Sequence, residues 1–316
     1  MPIEQKKITV VGAGYVGMTC AAKCAEKNLA RDVCLIDVVE GRAEGIALDL
    51  NQAAAIEGYT TKVSGTSDPA ATRGSDLVIM TAGQPRKPGM SRSDLLEVNG
   101  KVVSAVAKYV RDGSPEAIVI VVTNPLDTMV HLMRVKLGFP GRRVIGMAGV
   151  LDSARFSWFL AEATGTSVKD VDAMVLGAHG DSMVPLPKAC TINGVQAGEL
   201  LDKQTMEALA DRTRNGGAEI VKLLKTGSAF YAPAAGAVAM AASILNDERR
   251  VLPCAALLNG HYGFEGIYMG VPVVLGAKGV ESVVELALDT EARIQMQKTA
   301  GAIQADLVEL QKLGLL

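Results

Sequence analysis

Histidine is scarce in this chain, aromatic rings are few, and neither sign of charge is in surplus. Aromatic residues make up 4% of the 316 positions and the formal net charge is −2, so there is no global basic field of the kind that nucleic acid or an anionic membrane surface attracts. The five cysteines (Cys20, Cys24, Cys34, Cys190, Cys254) are an odd number without C-x-x-C spacing, which excludes a recognisable thiolate metal site. They read as buried free thiols in a reducing compartment, and no metal is expected. The stretch from Thr226 to Asn246 carries no formal charge, yet Ala and Gly dominate it and Pro233 interrupts it. Such weakly apolar residues gain little from lipid, so it reads as a buried or subunit-facing helix. The start of the chain, "MPIEQKKITVVG", shows no signal-type apolar segment. Repeats, low-complexity tracts and Pro/Ser-rich linkers are absent as well. The reading is a soluble, cytoplasmic protein with no nucleic-acid or membrane partner.

What the chain does have is alternation. Short apolar runs occur at "KITVVGAG", "VCLIDV", "TKVSGT", "DLVIMTAG", "AIVIVVTNP" and "RVIGMAG", separated by amphipathic stretches such as "SDLLEVNGKVVSAVAKYVRDG" and "DTMVHLMRVKLG". Uniformly apolar strands are expected where both sheet faces are covered, so the order predicts a doubly wound parallel sheet over residues 1–150. Beyond Val150 the pattern changes. A helix "LDSARFSWFLAEATG", a strand "VDAMVLGAHG", a hairpin at "CTINGVQ" turning on Asn193-Gly194, and strands "VLPCAALLNG" and "IYMGVPVVLG" predict a second, α+β domain over 151–316. The last helix carries Ile303, Leu307 and Leu310 on one face, with Gly314 as its stop. With no linker between them, the two domains should be packed together.

The first strand runs into "VVGAGYVG", a G-x-G-x-x-G turn of Gly12, Gly14 and Gly17, with Ala13, Tyr15 and Val16 between them. Gly12 permits a tight turn, Gly14 lets the backbone approach a pyrophosphate, and Gly17 allows close helix packing. The following helix N-terminus offers free N–H groups to phosphates. Asp37 ends the second strand twenty residues after Gly17, where a carboxylate accepts both ribose hydroxyls and repels a 2′-phosphate. NAD is favoured over NADP.

Only His131, His179 and His261 are available to carry a proton near neutral pH. His179, in "LGAHGDS", ends an apolar strand between glycines that leave its ring uncrowded, which marks it out. Asp152 and Arg155 are three apart at the start of a helix, a spacing that serves an N-cap and a surface pair as readily as a site. Asn124, in "VTNP", closes the fifth strand, either presenting an amide to a ligand or starting a turn. Finally, "QPRKPGMSR" (84–92) packs Arg86, Lys87 and Arg92 among prolines and a glycine where a short polar turn would have served.

Read in order, "VVGAGYVG", "LIDVVEGRAEGIALDL", "TAGQPRKPGMSRSDLL", "VTNPLD", "GVLDSARF", "GAHGDSMVPL" and "YAPAAG" resemble the lactate/malate dehydrogenase family, most closely its lactate-dehydrogenase-like malate dehydrogenases. The resemblance runs from about Lys7 to the C-terminus. It implies a reversible hydride transfer between (S)-malate and NAD giving oxaloacetate and NADH, a step of the tricarboxylic acid cycle, by a homodimer or homotetramer. His179 would be the acid/base, Asp152 its charge partner, and Arg155 the grip on the substrate's C1 carboxylate. Arg92, brought in by a mobile loop, would polarise the reacting carbonyl, and Asn124 would hydrogen-bond the same oxygen. Asn99, Val122 and Asn124 would join the glycine turn in holding the cofactor. Loop 84–92 resembles the family's closing lid, with Gly89 as a hinge and Lys87 merely solvated. Arg86 would then face the far carboxylate of a diacid, where lactate dehydrogenases carry a neutral amide. Rival readings are a lactate or broader 2-hydroxy-acid dehydrogenase, and a non-catalytic NAD(H)-binding protein.

Overall fold

A computed structural model describes residues 6–85 and 89–316. The N-terminal half alternates as predicted: β1 (Lys7–Val11), α1 (Tyr15–Glu26), β2 (Asp32–Ile36), α2 (Arg42–Glu57), β3 (Lys62–Thr66), β4 (Leu77–Met80), α3 (Arg92–Gly113), β5 (Ile118–Val121), α4 (Leu126–Leu137) and β6 (Val144–Gly146). These six strands are parallel in the order β3-β2-β1-β4-β5-β6. The chain reverses its winding direction between β1 and β4, and a crevice opens there at the strand ends. Every residue of "LVIM" in β4 and "IVIV" in β5 is buried, as a sheet covered on both faces requires.

The second half begins with α5 (Gly149–Thr164) and continues through β7 (Val171–Asp172), β8 (Val175–Gly177), β9 (Met183–Pro185), β10 (Thr191–Ile192), β11 (Val195–Gln196), α6 (Ala197–Leu200), α7 (Lys203–Leu224), α8 (Tyr231–Leu245), β12 (Arg250–Asn259), β13 (Glu265–Gly276), β14 (Gly279–Val283) and α9 (Thr290–Lys312). The parallel sheet does not stop at β6. Gly146 pairs with Ala255, so β12, β13, β8 and β9 extend it with antiparallel strands, and β14 adds to β13. One hydrophobic core spans both halves, running from Ile8 and Val33 through Ile145, Met147 and Leu151 to Ala237, Val271 and Ile303. The halves are packed, not tethered. The chain-end helix α9 buries Ile303 and Leu310, half-buries Leu307, and gives way to Gly314 at φ +68.

Two local predictions need comment. The hairpin of β10 and β11 turns on Asn193 and Gly194, both at positive φ (47 and 85), which two-residue turns of this hand demand. The single strand read at "VDAMVLGAHG" is in fact two: β7 joins β10 and β11 in a small separate sheet, whereas β8 pairs with β13 and β9. A run that is apolar but for Asp172 serves two sheets, and apolar character alone carries no mark of the division.

The charge-free stretch contains α8, whose Ala234, Ala237, Val238, Met240 and Ala241 are buried in the same core cluster as Cys20 and Cys24 of α1. All five thiols are free and buried, and burial raises Cys20 to about 12. No helix among the described residues is long and apolar enough to cross a membrane.

Candidate active site

The glycine turn is explained by what surrounds it. Gly12 has φ +99, and a Cβ there would lie 2.7 Å from the backbone nitrogen of Ala82; a Cβ on Gly17 would lie 1.7 Å from the Gly12 carbonyl oxygen. Those two positions exclude any side chain. Gly14 is different: a Cβ there meets nothing within 4 Å, so its smallness keeps space open for something that is not protein. Gly14 is also the N-cap of α1, which has no capping side chain and no acid in its first turn, leaving its N–H groups for an anion. Tyr15 is exposed beside it and stacks on Phe230.

Asp37 follows β2 and holds the turn: its Oδ2 accepts the N–H of Ala13 at 2.6 Å and its Oδ1 accepts that of Val39 at 3.0 Å. The half-exposed carboxylate keeps further lone pairs for hydroxyl donors. An open cradle, uncapped helix N–H groups and this carboxylate fit a dinucleotide. Across the crevice, Asn99 is buried on α3; its amide accepts the N–H of Gln84 at 2.8 Å and donates to the carbonyls of Gln84 and Asn124. It therefore ties the loop after β4 to the one after β5. The main chain of Val122 is bonded to Met80, and the exposed side chain of Asn124 has no hydrogen-bond partner among the described residues.

His179 lies two residues beyond β8. Gly177 turns the chain there at φ +83, and Gly270 opposite it must be bare, since a Cβ would sit 2.5 Å from the Gly177 carbonyl oxygen. The strand is fixed to α5 by the N–H of Val175, which donates to Ser153 Oγ at 2.9 Å. Asp152 is in the first turn of that helix but is not its cap, a position held by Ala148. Its side chain is 2% exposed. His179 Nδ1 is 2.9 Å from Asp152 Oδ2, and Arg155 Nη1 donates to Asp152 Oδ1 at 3.2 Å. The spacing that read equally as a surface pair is a buried one.

Burial works against a charged imidazole, but the charge and hydrogen bond of Asp152 outweigh it, so the pKa of His179 lies above the ordinary histidine value. With a proton on Nδ1 directed at Asp152, Nε2 is the nitrogen left for exchange. Burial also lowers the pKa of Arg155 from its usual value. Its buried Nε has no partner, and Gly216 and Gly217 of α7 make room for the side chain, whose Cδ and Nη2 pass 3.3 and 3.7 Å from where their respective Cβ atoms would be. A guanidinium with unmatched donors beside a proton carrier suits a carboxylate ligand.

Arg92 departs from its expected setting. It is the first residue of α3, behind a capping box in which Ser91 Oγ accepts the N–H of Asp94 and the Asp94 carboxylate accepts that of Ser91. Its guanidinium is held by Asp306 of α9, through Nε at 2.7 Å and Nη2 at 2.6 Å. Arg86 and Lys87 lie outside the described residues; Gly89 has φ +81. His131 stands edge-on to Tyr268 in α4, and His261 is in the turn before β13. Asp127, one of the buried acids around His179, was given no role on sequence; its place in the first turn after "VTNP" was the available signal. No group of three or more His, Cys, Asp or Glu among the described residues is placed to hold a metal ion.

Residues 6–146 match the family model described as lactate/malate dehydrogenase, NAD binding domain, and residues 149–313 the lactate/malate dehydrogenase, alpha/beta C-terminal domain. A malate dehydrogenase of Roseiflexus sp. (strain RS-1) is 51% identical over 304 residues, covering 96% of this chain and 98% of its own. One from Sorangium cellulosum is 52% identical over 303 residues, covering 95% and 96%. Among solved structures, a Cryptosporidium parvum malate dehydrogenase superposes with a TM-score of 0.95 at 44% identity, covering 98% of this chain and 99% of that one. A lactate dehydrogenase of Eimeria maxima with NADH and oxamate also gives 0.95, at 36% identity, covering 99% and 96%.

Proposed function

The chain belongs to the lactate/malate dehydrogenase family, and from that premise we propose that it is the NAD-dependent enzyme interconverting (S)-malate and oxaloacetate, a reaction of the tricarboxylic acid cycle. The observation that carries the reading is the buried series Arg155–Asp152–His179, which sets a carboxylate grip beside a proton carrier. NAD, held by the glycine turn and Asp37, would supply the hydride acceptor for C2 of malate, and NADH the donor for oxaloacetate. His179 takes the C2 hydroxyl proton at Nε2 during oxidation and gives it back during reduction. Asp152 holds the ring and stabilises its charged form. Arg155 binds the C1 carboxylate with the donors it has free. Arg92 and Asn124 take the reacting oxygen, which requires Arg92 to exchange Asp306 for substrate. The glycine turn with Ala13, Tyr15, Val16, Asp37, Asn99 and Val122 holds the cofactor.

The choice of diacid rests on Arg86. A pocket that closes an arginine over pyruvate's methyl group leaves a buried charge unpaired, at a cost of about 3–5 kcal/mol, or roughly 10²- to 10³-fold. The scaffold itself favours neither substrate, since it superposes equally on a lactate dehydrogenase. We assign the protein to the cytoplasm as a homodimer or homotetramer. Support for assembly comes from α2 and α8, which both pack on α1 yet expose Leu48, Ile56 and Tyr231. The test of the function is steady-state turnover of oxaloacetate and pyruvate with NADH and NADPH in turn. Oxaloacetate with NADH should lead by about a hundredfold; preference for pyruvate would show a lactate dehydrogenase, and no turnover a binding protein.

A further inference from the structure

His179 is held by two carboxylates, not one. Besides the Asp152 contact at its ring, its main-chain N–H donates to Oδ2 of Asp127 at 3.0 Å. The two acids come from different helices, Asp127 from the first turn of α4 and Asp152 from the first turn of α5. Between them they grip both ends of the residue, backbone and imidazole. Asp127 also stands three positions after Asn124, so the same short segment would bring a substrate-facing amide and an anchor for the histidine to one side of the crevice.

The position is an expensive one to occupy with an acid. Asp127 is 5% exposed and its other oxygen, Oδ1, is buried without a partner. Burial pushes its pKa up to about 7, against the lowering by the His179 N–H and charge and with a further rise from Asp152. An apolar residue would pack in α4 without that penalty, as Leu126, Met129 and Val130 around it do. What it would not supply is an acceptor for the main-chain N–H of the residue that carries the proton-transferring ring.

We propose that Asp127 is a positioning residue for the reaction: it fixes the main chain of His179, so that the imidazole stays aligned between Asp152 and the substrate oxygen. The inference rests on His179 being the proton carrier. Misplacing a reacting group by about 1 Å costs on the order of a hundredfold in rate, which sets the scale of the expected effect. Among the described residues, the charged groups that face His179 are Asp127 from α4, and Asp152 and Arg155 from α5.

The experiment compares Asp127→Ala, Asp127→Asn and His179→Asn in oxaloacetate reduction and malate oxidation. Asp127→Ala should lower kcat by about tenfold or more while the KM for NADH stays within about twofold. Asp127→Asn, whose amide oxygen still accepts the His179 N–H, should recover most of that loss and move the acid limb of malate oxidation to lower pH, because a negative charge near the imidazole has gone. Wild-type kcat in Asp127→Ala overturns the proposal, as does an equal loss in both variants. If Asp127→Ala does not fold, Asp127→Asn decides alone: high kcat with a displaced limb supports the proposal and a tenfold loss overturns it. His179→Asn separates the two ideas. If it turns over normally, the proton carrier is misassigned and the inference falls with it; if it is inactive while Asp127→Ala is fully active, only the inference fails.

Discussion

Arg92 and Asp306 meet through two parallel hydrogen bonds, Nε and Nη2 donating to the two carboxylate oxygens at 2.7 and 2.6 Å. The residues are 214 positions apart and join the start of α3 to the middle of α9. The carboxylate is 8% exposed and also accepts Thr128 Oγ1 at 3.1 Å, whereas the arginine is 63% exposed. The acid is the fixed member and the arginine the one able to leave. Nearby, Ser93 Oγ donates to Glu309, a second tie between the same two helices.

If Arg92 serves the reacting carbonyl, Asp306 competes with substrate for it. A charge-assisted hydrogen bond is worth about 1.5–3 kcal/mol, so weakening this one should matter. Asp306→Asn is expected to lower the KM for oxaloacetate several-fold, by roughly 1 kcal/mol of released competition, with kcat unchanged or higher. Arg92→Ala should lower kcat by about 10²-fold or more. An unchanged KM in the first variant, with full activity in the second, would make the pair a structural clamp and nothing else.

The elevated pKa of His179 has opposite consequences for the two directions. Malate oxidation needs the neutral ring and oxaloacetate reduction the charged one. Reduction should therefore hold its kcat/KM to a pH above the ordinary histidine value and decline beyond it, while oxidation rises through the same region. Asp152→Asn removes the main cause of the elevation, so both limbs should move to lower pH and turnover should fall. His179→Asn should still bind NADH, read by fluorescence titration, and lose about 10²- to 10⁴-fold in turnover.

At the cofactor turn, geometry separates the glycines. Gly17→Ala drives a methyl group into the Gly12 carbonyl and should displace α1 from the sheet. A melting temperature lower by several degrees, with weakened NADH affinity, is expected. Gly14→Ala has room in the protein, so its stability should stay near that of the wild type while NADH affinity falls. Equal melting temperatures in the two variants would contradict this division.

Legibility in the sequence followed the range of each interaction. Strands β1, β2, β4, β5 and β6 show in apolar runs, and the hairpin at Asn193-Gly194 in turn chemistry, because both depend on neighbours a few positions away; β3, "KVSGT", buries only Val63 and is the polar exception. The glycine turn was readable for the same reason. His179, Asp152 and Arg155 come from two segments, and spacing by itself fits a cap or surface pair as readily as a site for the last two; the buried contact with His179 exists only after β8 and α5 pack. Asp306 left no mark as a partner, and Asp127 only its place just after "VTNP". Each looks like an ordinary polar residue on a helix, and each acquires its meaning from a side chain or turn brought to it from 214 or 52 positions away. The split of β7 from β8 was hidden because both sheets accept apolar residues.

On the proposed function, the guanidinium of Arg86 selects a four-carbon diacid. The most direct test is kcat/KM for oxaloacetate and for pyruvate in the wild type and in Arg86→Gln, with NADH in both. The ratio of oxaloacetate to pyruvate should fall by about a hundredfold or more in the variant, with pyruvate turnover rising in absolute value. A ratio that stays at its wild-type value would contradict it.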